Sequence, residues 1–427
     1  MIQVLGVGAI LVLAGCHGSS PQGTLVISDL QVTPPQSMQY DGDGTVQMTI
    51  TFSFIDPSES LTTAYLDSSA GDSGSVPISG AGGQSTGTIE LTGPVSTTTL
   101  GHYQIAVYVA DAKGRTSNTL TGTFDVVPND TASHWRVQSL PPASAQVWLK
   151  RVRWTGSMFV AVGGDVYAAL HSRIFTSTDG ETWTEQPSVL LTTLNDVTWA
   201  GSQFVAVGDG GTVLTSTDGI VWEQQTVPSG ALVSLTGVAA SSTTVVAVGG
   251  GVGDSAGTVM VSADGKTWAI APPLAGASLS EVVWAGNQFV AVGSSIGTSN
   301  AQAVAATSPD GMTWAVHAID GYLSVLYDVA WNGSIFVAVG YPGAATSADG
   351  ISWQQPGAGT VGAVSAIAWS GHRFLTCGVV YCASTTDGAT WEGSILMPGI
   401  GPDVFGLAWG DAKWVAVGQE SLVLTSP

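Results

Sequence analysis

The stretch STDGETW, residues 177–183, has five near-copies further along the chain. They are STDGIVW (216–222), SADGKTW (262–268), SPDGMTW (308–314), SADGISW (347–353) and TTDGATW (385–391). A single active site needs one acid, whereas a repeated architecture needs one turn in each unit. The repetition therefore indicates that six aspartates belong to structural turns: Asp179, Asp218, Asp264, Asp310, Asp349 and Asp387.

The composition is typical of an all-β, secreted protein. The 427 residues include 56 glycines and 15 tryptophans, and only 10% are charged, which favours short strands joined by tight turns over helices. The length allows two or three domains. A formal charge of −21 with ten basic residues argues against nucleic acid and against a polybasic membrane face.

The N-terminus carries a targeting signal. Residues 2–15 form an apolar run that is too short for a permanent membrane helix. The segment Leu13-Ala14-Gly15-Cys16 resembles the lipobox of bacterial lipoproteins, which implies cleavage before Cys16 and acylation of its thiol. A signal peptide over 1–15, a tether over 16–23 and a lipid anchor follow from this resemblance, with a buried N-terminal strand as the disfavoured alternative. His17 favours the outer membrane or cell surface within the bacterial envelope.

Residues 24–128 predict an antiparallel β-sandwich, because runs such as LVISDLQV and VQMTITFSF alternate between Gly, Ser, Asp and Pro clusters. The stretch GHYQIAVYVADAKGRTSN (101–118) resembles the late strand pair of bacterial immunoglobulin-like modules. Asp41 and Asp43 could bind calcium, although a plain acidic turn is the favoured interpretation.

Residues 129–427 repeat one pattern, in which a strand ending in Trp leads to FVAVG and then to the Asp-Gly turn of the six stretches quoted above. This turn is here called the DG turn. FVAVG or a variant ends in Gly163, and then in a glycine at 208, 249, 293, 340, 378 and 418. Intervals of 38 to 47 residues fit one four-stranded blade each. The last unit ends at LVLTSP without its final strand, while HWRVQS (134–139) supplies an unpaired one. The pattern predicts a seven-bladed β-propeller closed by this N-terminal strand.

SxDGxTW resembles the Asp-box (BNR-like repeat) of sialidase-like and photosystem-assembly-like propellers, although the usual box has one more residue between Asp and Gly. The resemblance implies that the carboxylate accepts bonds from turn amides, that glycine supplies a positive φ, and that Trp packs over the turn. Sialidase activity itself is not expected. Its substrate-binding arginines come from different blades, whereas four of the five arginines in residues 129–427 cluster near the first blade and the closing strand: Arg136, Arg151, Arg153 and Arg173.

Cys377 and Cys382 flank a four-residue turn, so a disulfide is predicted in an oxidising compartment. Two reduced, buried cysteines are the alternative. The spacing does not match a zinc site.

One ring of positions carries charge. Three residues before the strand-ending Trp, which is replaced by Ala240 in the third unit, the seven units have Arg151, Asp196, Gly237, Glu281, Asp328, Ala366 and Gly406. The first strand of a blade lines the channel, so the four charged residues are expected near its mouth, where they could bind a ligand. A solvated channel is the alternative. Tyr167, His171 and Arg173, on a long loop, are expected at the same face.

The predicted function is recognition, without cofactor or chemical step, by a monomeric lipoprotein whose propeller binds a protein or glycan. One alternative is a glycoside hydrolase with Asp196, Glu281 and Asp328 as its carboxylates. Another is a periplasmic assembly factor for a membrane complex.

Overall fold

The computed structural model divides into two compact units, Met1–Asn129 and Asp130–Pro427. It describes residues 8–12, 23–33, 36–38, 45–69, 73–79, 81, 83–96, 101–127, 132, 135–141, 146–165, 171–188, 190–229, 233–250, 256–297, 301–356, 362–379, 381–396 and 403–426. In these ranges there is no α-helix, and one 3-10 turn spans Asp209–Gly211.

The first unit is a sandwich of two sheets around one core. Its strands are β1 (Gly8–Val12), β2 (Val26–Thr33), β3 (Gln36–Met38), β4 (Thr45–Ile55), β5 (Leu61–Ser68), β6 (Ser73–Pro77), β7 (Thr86–Ser96), β8 (Gly101–Asp111) and β9 (Leu120–Val127). One sheet has the order β1-β7-β4-β2 and the other β3-β9-β8-β5-β6, with β3 parallel to β9. Phe52 and Ile89 of the first sheet share a buried cluster with Val107 and Phe124 of the second.

Strand β1 lies within the run expected to be a signal peptide, for which a strand was the disfavoured alternative. In the uncleaved chain this run pairs antiparallel with β7, from Gly8 opposite Thr92 to Val12 opposite Thr88. The physical reason is that β7 would otherwise be an edge whose backbone groups an uncharged segment can pair with. Cleavage before Cys16 stays a prediction, and it would remove β1 from the sheet. Cys16, Asp41 and Asp43 lie outside the described residues.

The second unit consists of small antiparallel sheets in chain order. Its strands are β10 (Arg136–Val137), β11 (Val147–Trp154), β12 (Phe159–Asp165), β13 (Ser172–Ser177), β14 (Thr184–Gln186), β15 (Leu194–Trp199), β16 (Phe204–Gly208), β17 (Val213–Ser216), β18 (Glu223–Gln224), β19 (Leu235–Ala240), β20 (Val245–Gly249), β21 (Thr258–Ser262), β22 (Trp268–Ile270), β23 (Ala277–Trp284), β24 (Phe289–Ser295), β25 (Ala303–Ser308), β26 (Ala315–Ala318), β27 (Val325–Trp331), β28 (Phe336–Tyr341), β29 (Gly343–Ser347), β30 (Val364–Trp369), β31 (Phe374–Gly378), β32 (Tyr381–Thr385), β33 (Glu392–Leu396), β34 (Val404–Gly410), β35 (Lys413–Gly418) and β36 (Val423–Ser426).

The sheets follow one another in a circle. They are β11–β14, β15–β18, β19–β22, β23–β26, β27–β29, β30–β33 and β34–β36 with β10. The first strand of each sheet, here called its inner strand, contacts the inner strand of the next, and β34 contacts β11 again. In the sheet β27–β29 a bridge between Thr346 and Gln354 stands where others have a fourth strand. This circular order is that of a β-propeller.

The FVAVG segments are the second strands, and from Phe159 in β12 to Gly418 in β35 their residues are buried. Neighbouring sheets cover both of their faces, which explains why they read as continuous apolar runs instead of alternating ones.

Strand β10 joins the last sheet, as the sequence predicts for residues 134–139. Arg136 pairs with Thr425 and Val137 with Leu424. Gln138 extends the contact, since its Nε2 donates to Oγ1 of Thr425 at 2.7 Å. Trp135, just before β10, is buried in the same cluster as Leu424. The first residues of this unit thereby complete the sheet formed by its last ones.

Candidate functional site

The DG turns bind their own aspartates tightly. In the first, Oδ1 of Asp179 accepts bonds from the amides of Glu181 and Thr182 and from the Ser177 hydroxyl, at 2.8 to 2.9 Å. Trp183 donates its Nε1–H to the carbonyl of Gly180, whose φ is +73°. The same amide and hydroxyl bonds recur at Asp218, Asp264, Asp310, Asp349 and Asp387. Each carboxylate therefore closes its own turn.

These bonds favour the ionised carboxylates. The amides of Thr267 and Lys266 lower the pKa of Asp264 to about 2. Partial burial raises the pKa of Asp179, but the amides of Thr182 and Glu181 outweigh it and lower the pKa to about 2. The pKa is lowered in the other four turns as well. An acid held this firmly as an anion is poorly suited to proton transfer at neutral pH.

A β-bulge before the ring position recurs in every inner strand. In β23, Leu279 pairs with Gly293 and Glu281 pairs with Val292, so Ser280 is an extra residue outside the ladder. The same shift occurs in all seven sheets and leaves these bulge residues: Lys150, Asn195, Thr236, Ser280, Tyr327, Ser365 and Phe405. A bulge re-aims the side chains next to it.

The final glycine of FVAVG makes room for this bulge. A Cβ on Gly293 would lie 1.9 Å from the carbonyl oxygen of Ser278, and one on Gly340 would lie 2.0 Å from that of Val325. The other five glycines meet an inner-strand carbonyl at 2.0 to 2.5 Å. Glycine is required here by close backbone approach, with no positive φ involved.

Arg151 meets three carboxylates at the centre of the ring. Its Nε lies 3.2 Å from Oδ1 of Asp196, its Nη1 lies 2.7 Å from Oδ2 of Asp328, and its Nη2 contacts Oε2 of Glu281. Burial lowers the pKa of Arg151, but the carboxylates of Asp328 and Asp196 outweigh this and hold it above its usual value. These distances place the four ring residues in one cluster, and their predicted role in binding a ligand stays a prediction.

The same contacts differ from the expectation that these four residues lie near an open channel mouth, because they are buried. Arg151 is 5% exposed, and the three carboxylates are 0 to 1% exposed, so they do not line an open channel mouth. Oδ2 of Asp196 also accepts the amide of Val238 at 2.8 Å, and Oδ2 of Asp328 accepts that of Ile367 at 2.9 Å. Each of these amides belongs to the next inner strand. The carboxylates therefore join neighbouring sheets to one another and to Arg151.

Two further residues shape this centre. Arg153 also reaches it, with Nη2 3.6 Å from Oδ1 of Asp196 and 3.5 Å from Oε1 of Glu281. Its place two residues after Arg151 on the same strand face was the signal that would have found it. Gly237 admits Glu281, because a Cβ there would lie 2.8 Å from the Glu281 Cα. Two arginines and three carboxylates thus fill the centre, and are here called the charge cluster.

The three residues predicted to contact a ligand from the long loop have different outcomes in the structure. Tyr167 lies outside the described residues. His171 places Nδ1 3.5 Å from Oδ2 of Asp165, and its side chain is 41% exposed. Arg173 is bound by Asp165, with Nε 2.8 Å from Oδ1, and by Glu185. His171 thus remains accessible as a contact, while Arg173 is held within its own sheet.

Cys377 and Cys382 are joined by a disulfide between opposite residues of β31 and β32. Within the described ranges, no group of three or more His, Cys, Asp or Glu residues is arranged to hold a metal ion. No helix in the described part is long and apolar enough to cross a membrane.

No protein-family model and no curated protein matches the chain. Several solved structures resemble it. The WD40 domain of Pan2 from Neurospora crassa is 9% identical, covering 69% of this chain and 96% of that one, with a TM-score of 0.49. BamB from Moraxella catarrhalis is 9% identical, covering 70% and 97%, with a TM-score of 0.42. The β-propeller domain of the Trilobed protease from Pyrococcus furiosus is 10% identical, covering 66% and 95%, with a TM-score of 0.43. Such distant likenesses say nothing about function, and the propeller fold rests on the strand order above.

Proposed function

We propose that this protein is a non-catalytic recognition scaffold of the bacterial envelope. In this proposal a lipid on Cys16 anchors the chain, an immunoglobulin-like sandwich acts as a spacer, and a seven-bladed propeller closed by β10 binds a protein or glycan. The lipobox resemblance supports the lipid anchor. The parallel pairing of β3 with β9 supports the immunoglobulin-like sandwich. The circle of inner-strand contacts supports the propeller.

The charge cluster is the observation that carries the proposal. An enzyme of the hydrolase type needs carboxylates that reach substrate and water. Here Asp196, Glu281 and Asp328 are buried against Arg151 and against backbone amides, so a sugar does not reach them without breaking the ring of inner strands. Removing one partner of a buried ion pair strongly destabilises a fold, because it leaves an uncompensated buried charge. We therefore assign the cluster to the rigidity of the propeller, with ligands bound on its surface.

The test combines a binding assay with a turnover assay on the full chain purified in mild detergent. A glycan array and cross-linking in intact envelopes are expected to give a retained ligand or partner. Incubation with the array hits is expected to release no sugar above a protein-free blank. Sugar release that Glu281→Gln abolishes, in a variant whose melting temperature shows it folded, would overturn the proposal in favour of a hydrolase.

A further inference from the structure

Three successive bulge residues come together at one pocket. Tyr327, Ser365 and Phe405 line it with Tyr341, the last residue of β28, and the pocket measures about 380 Å³. The remaining lining residues are Ala363, Val364, Val379 and Asp403. Bulges remove a residue from ladder pairing and point it elsewhere. This feature is here called the tyrosine pocket.

Elsewhere on the ring, the side chains of bulge residues donate hydrogen bonds to the neighbouring sheet. Thr236 donates its hydroxyl to the carbonyl of Leu279 at 2.9 Å, and the Asn195 amide donates to that of Leu235 at 2.9 Å. Phe405 has no polar side-chain atom and is unable to make such a bond. Tyr327 is instead 42% exposed and lines the pocket. Phe405 does contribute to the contact between sheets, since its ring centre lies 6.0 Å from that of Trp148 on β11. The exposed ring of Tyr327 is what points to a role at the surface.

We propose that the tyrosine pocket binds an uncharged pyranose unit of a glycan. This inference rests on the proposed recognition function and narrows its partner to a neutral carbohydrate. A pyranose has one flat face of C–H groups and an edge of hydroxyl groups. It therefore needs an aromatic wall beside a hydrogen-bonding group, and pockets of this size with few polar groups are typical of small-ligand sites.

The aromatic wall is exposed and held in place. Tyr341 is 53% exposed, so both tyrosines present ring surface to solvent that a sugar face would cover. Ser324 donates from both its amide and its hydroxyl to the Tyr341 carbonyl, at 3.0 and 3.1 Å. These bonds hold the backbone that carries the Tyr341 ring, which reduces the conformational entropy lost when the ring contacts a ligand.

The polar part of the pocket is Asp403. Gln419 donates its Nε2–H to Oδ2 of Asp403 at 3.1 Å and its backbone amide to the Asp403 carbonyl at 3.0 Å, which fixes the carboxylate at the pocket wall. A carboxylate is an acceptor with several lone pairs, so it can receive a sugar hydroxyl while keeping this bond.

The charges around the tyrosine pocket restrict the class of ligand that it can bind. Asp403 and a net charge of −21 disfavour acidic glycans. A positive charge also lies nearby. The ammonium group of Lys150 is 4.5 Å from the centre of the Phe405 ring and 4.9 Å from that of the Trp148 ring. A second cation at Phe405 would meet this charge, so a basic peptide is disfavoured as well. An uncharged sugar satisfies both constraints.

The experiment measures binding by calorimetry with the full chain in mild detergent. The probes are cellohexaose and maltohexaose as neutral glycans, hexagalacturonic acid as an acidic glycan and hexalysine as a basic peptide. At least one neutral hexasaccharide is expected to bind. Tyr327→Ala and Tyr341→Ala are each expected to weaken that binding about tenfold, the loss for removing one stacked aromatic wall. Tyr322→Ala is the matched control, because Tyr322 is 37% exposed and donates to the Pro356 carbonyl outside the pocket.

Three other outcomes overturn the inference. Failure of both neutral probes to bind excludes the proposed ligand class. Neutral-sugar binding that both pocket variants leave unchanged places the glycan elsewhere, while the scaffold proposal stands. Hexalysine or hexagalacturonic acid binding that Tyr327→Ala abolishes shows a pocket for a charged partner. Hydrolysis of a bound hexasaccharide, in contrast, contradicts the proposed function and leaves the location of the pocket intact.

Discussion

Arg151 on β11 and Asp328 on β27 bind each other across the ring, with Nη1 of the arginine 2.7 Å from Oδ2 of the aspartate and a sequence separation of 177 residues. The same aspartate oxygen accepts the amide of Ile367 at 2.9 Å. One carboxylate thereby connects three inner strands, β11, β27 and β30. The charge cluster thus connects the inner strands of different sheets at the centre of the propeller.

Replacing Arg151 by Met leaves three buried carboxylates without their shared cation. The free energy of unfolding is expected to fall by about 3–5 kcal/mol, the range for removing one partner of a buried ion pair. Urea unfolding followed by tryptophan fluorescence measures this, since all 15 tryptophans lie between Trp135 and Trp414, within the second unit. Lys266→Ala, an exposed position, is the control. Equal unfolding midpoints for both variants would contradict a central role of Arg151.

Replacing Asp179 by Ala removes the acceptor of its DG turn. The expected loss is about 1 kcal/mol in the free energy of unfolding, as for other capping carboxylates. Thr178→Ala tests the neighbouring exposed position and is expected to change little. Loss of activity or binding in Asp179→Ala without loss of stability would instead indicate a functional acid.

The DG turns also predict how stability depends on pH. Their carboxylates have a lower pKa in the folded state, about 2 for Asp179 and Asp264, than the usual value of 3.8 for an aspartate. The folded state therefore gains stability above the unfolded pKa, and this gain is lost as the pH falls from about 4 to 2. Urea midpoints at pH 7, 4 and 2.5 are expected to decrease in that interval. Asp264→Asn is expected to make the decrease shallower, and an unchanged slope would refute the assignment.

Gly293 tests the repeated bulge. In Gly293→Ala the new Cβ meets the Ser278 carbonyl, which is backbone and has little room to move. We expect a loss of about 2–3 kcal/mol, typical of forcing extra volume into a packed strand pair. Ser280→Ala changes the bulge residue opposite and is expected to be nearly neutral. A stable Gly293→Ala variant would show that the bulge is not rigid.

Trp135 tests the closing strand. Trp135→Ala empties a buried site against Leu424, so about 3–5 kcal/mol of unfolding free energy is expected to be lost. Val137→Ala is the matched control two residues later, because Val137 is 67% exposed. Similar small effects of both variants, seen by urea unfolding, would mean that β10 contributes little to closure.

The repeats made much of this architecture predictable. Six copies of the DG turn and seven of FVAVG fixed the spacing of the units, and counting back from each Trp located Arg151 and the three carboxylates on one ring. The pairing of Arg136 with Thr425 followed from one unpaired strand at the start of the unit and one missing at its end.

Other features left no repeated signal. Burial of the charge cluster depends on how far Arg151 reaches across the ring, which local sequence does not encode. The tyrosine pocket was missed because bulge residues vary among the repeats, as with Ser280, Tyr327 and Phe405, and because a bulge has no residue type of its own.

That variability has an evolutionary consequence. A bulge residue is absent from the ladder, while the glycine and aliphatic residues around it hold the strands together. Substitutions at an exposed bulge position such as Tyr327 therefore alter the chemistry of one end of the ring at little expense to the fold. A lineage carrying this scaffold is able to change what that end recognises one residue at a time, without passing through unstable intermediates.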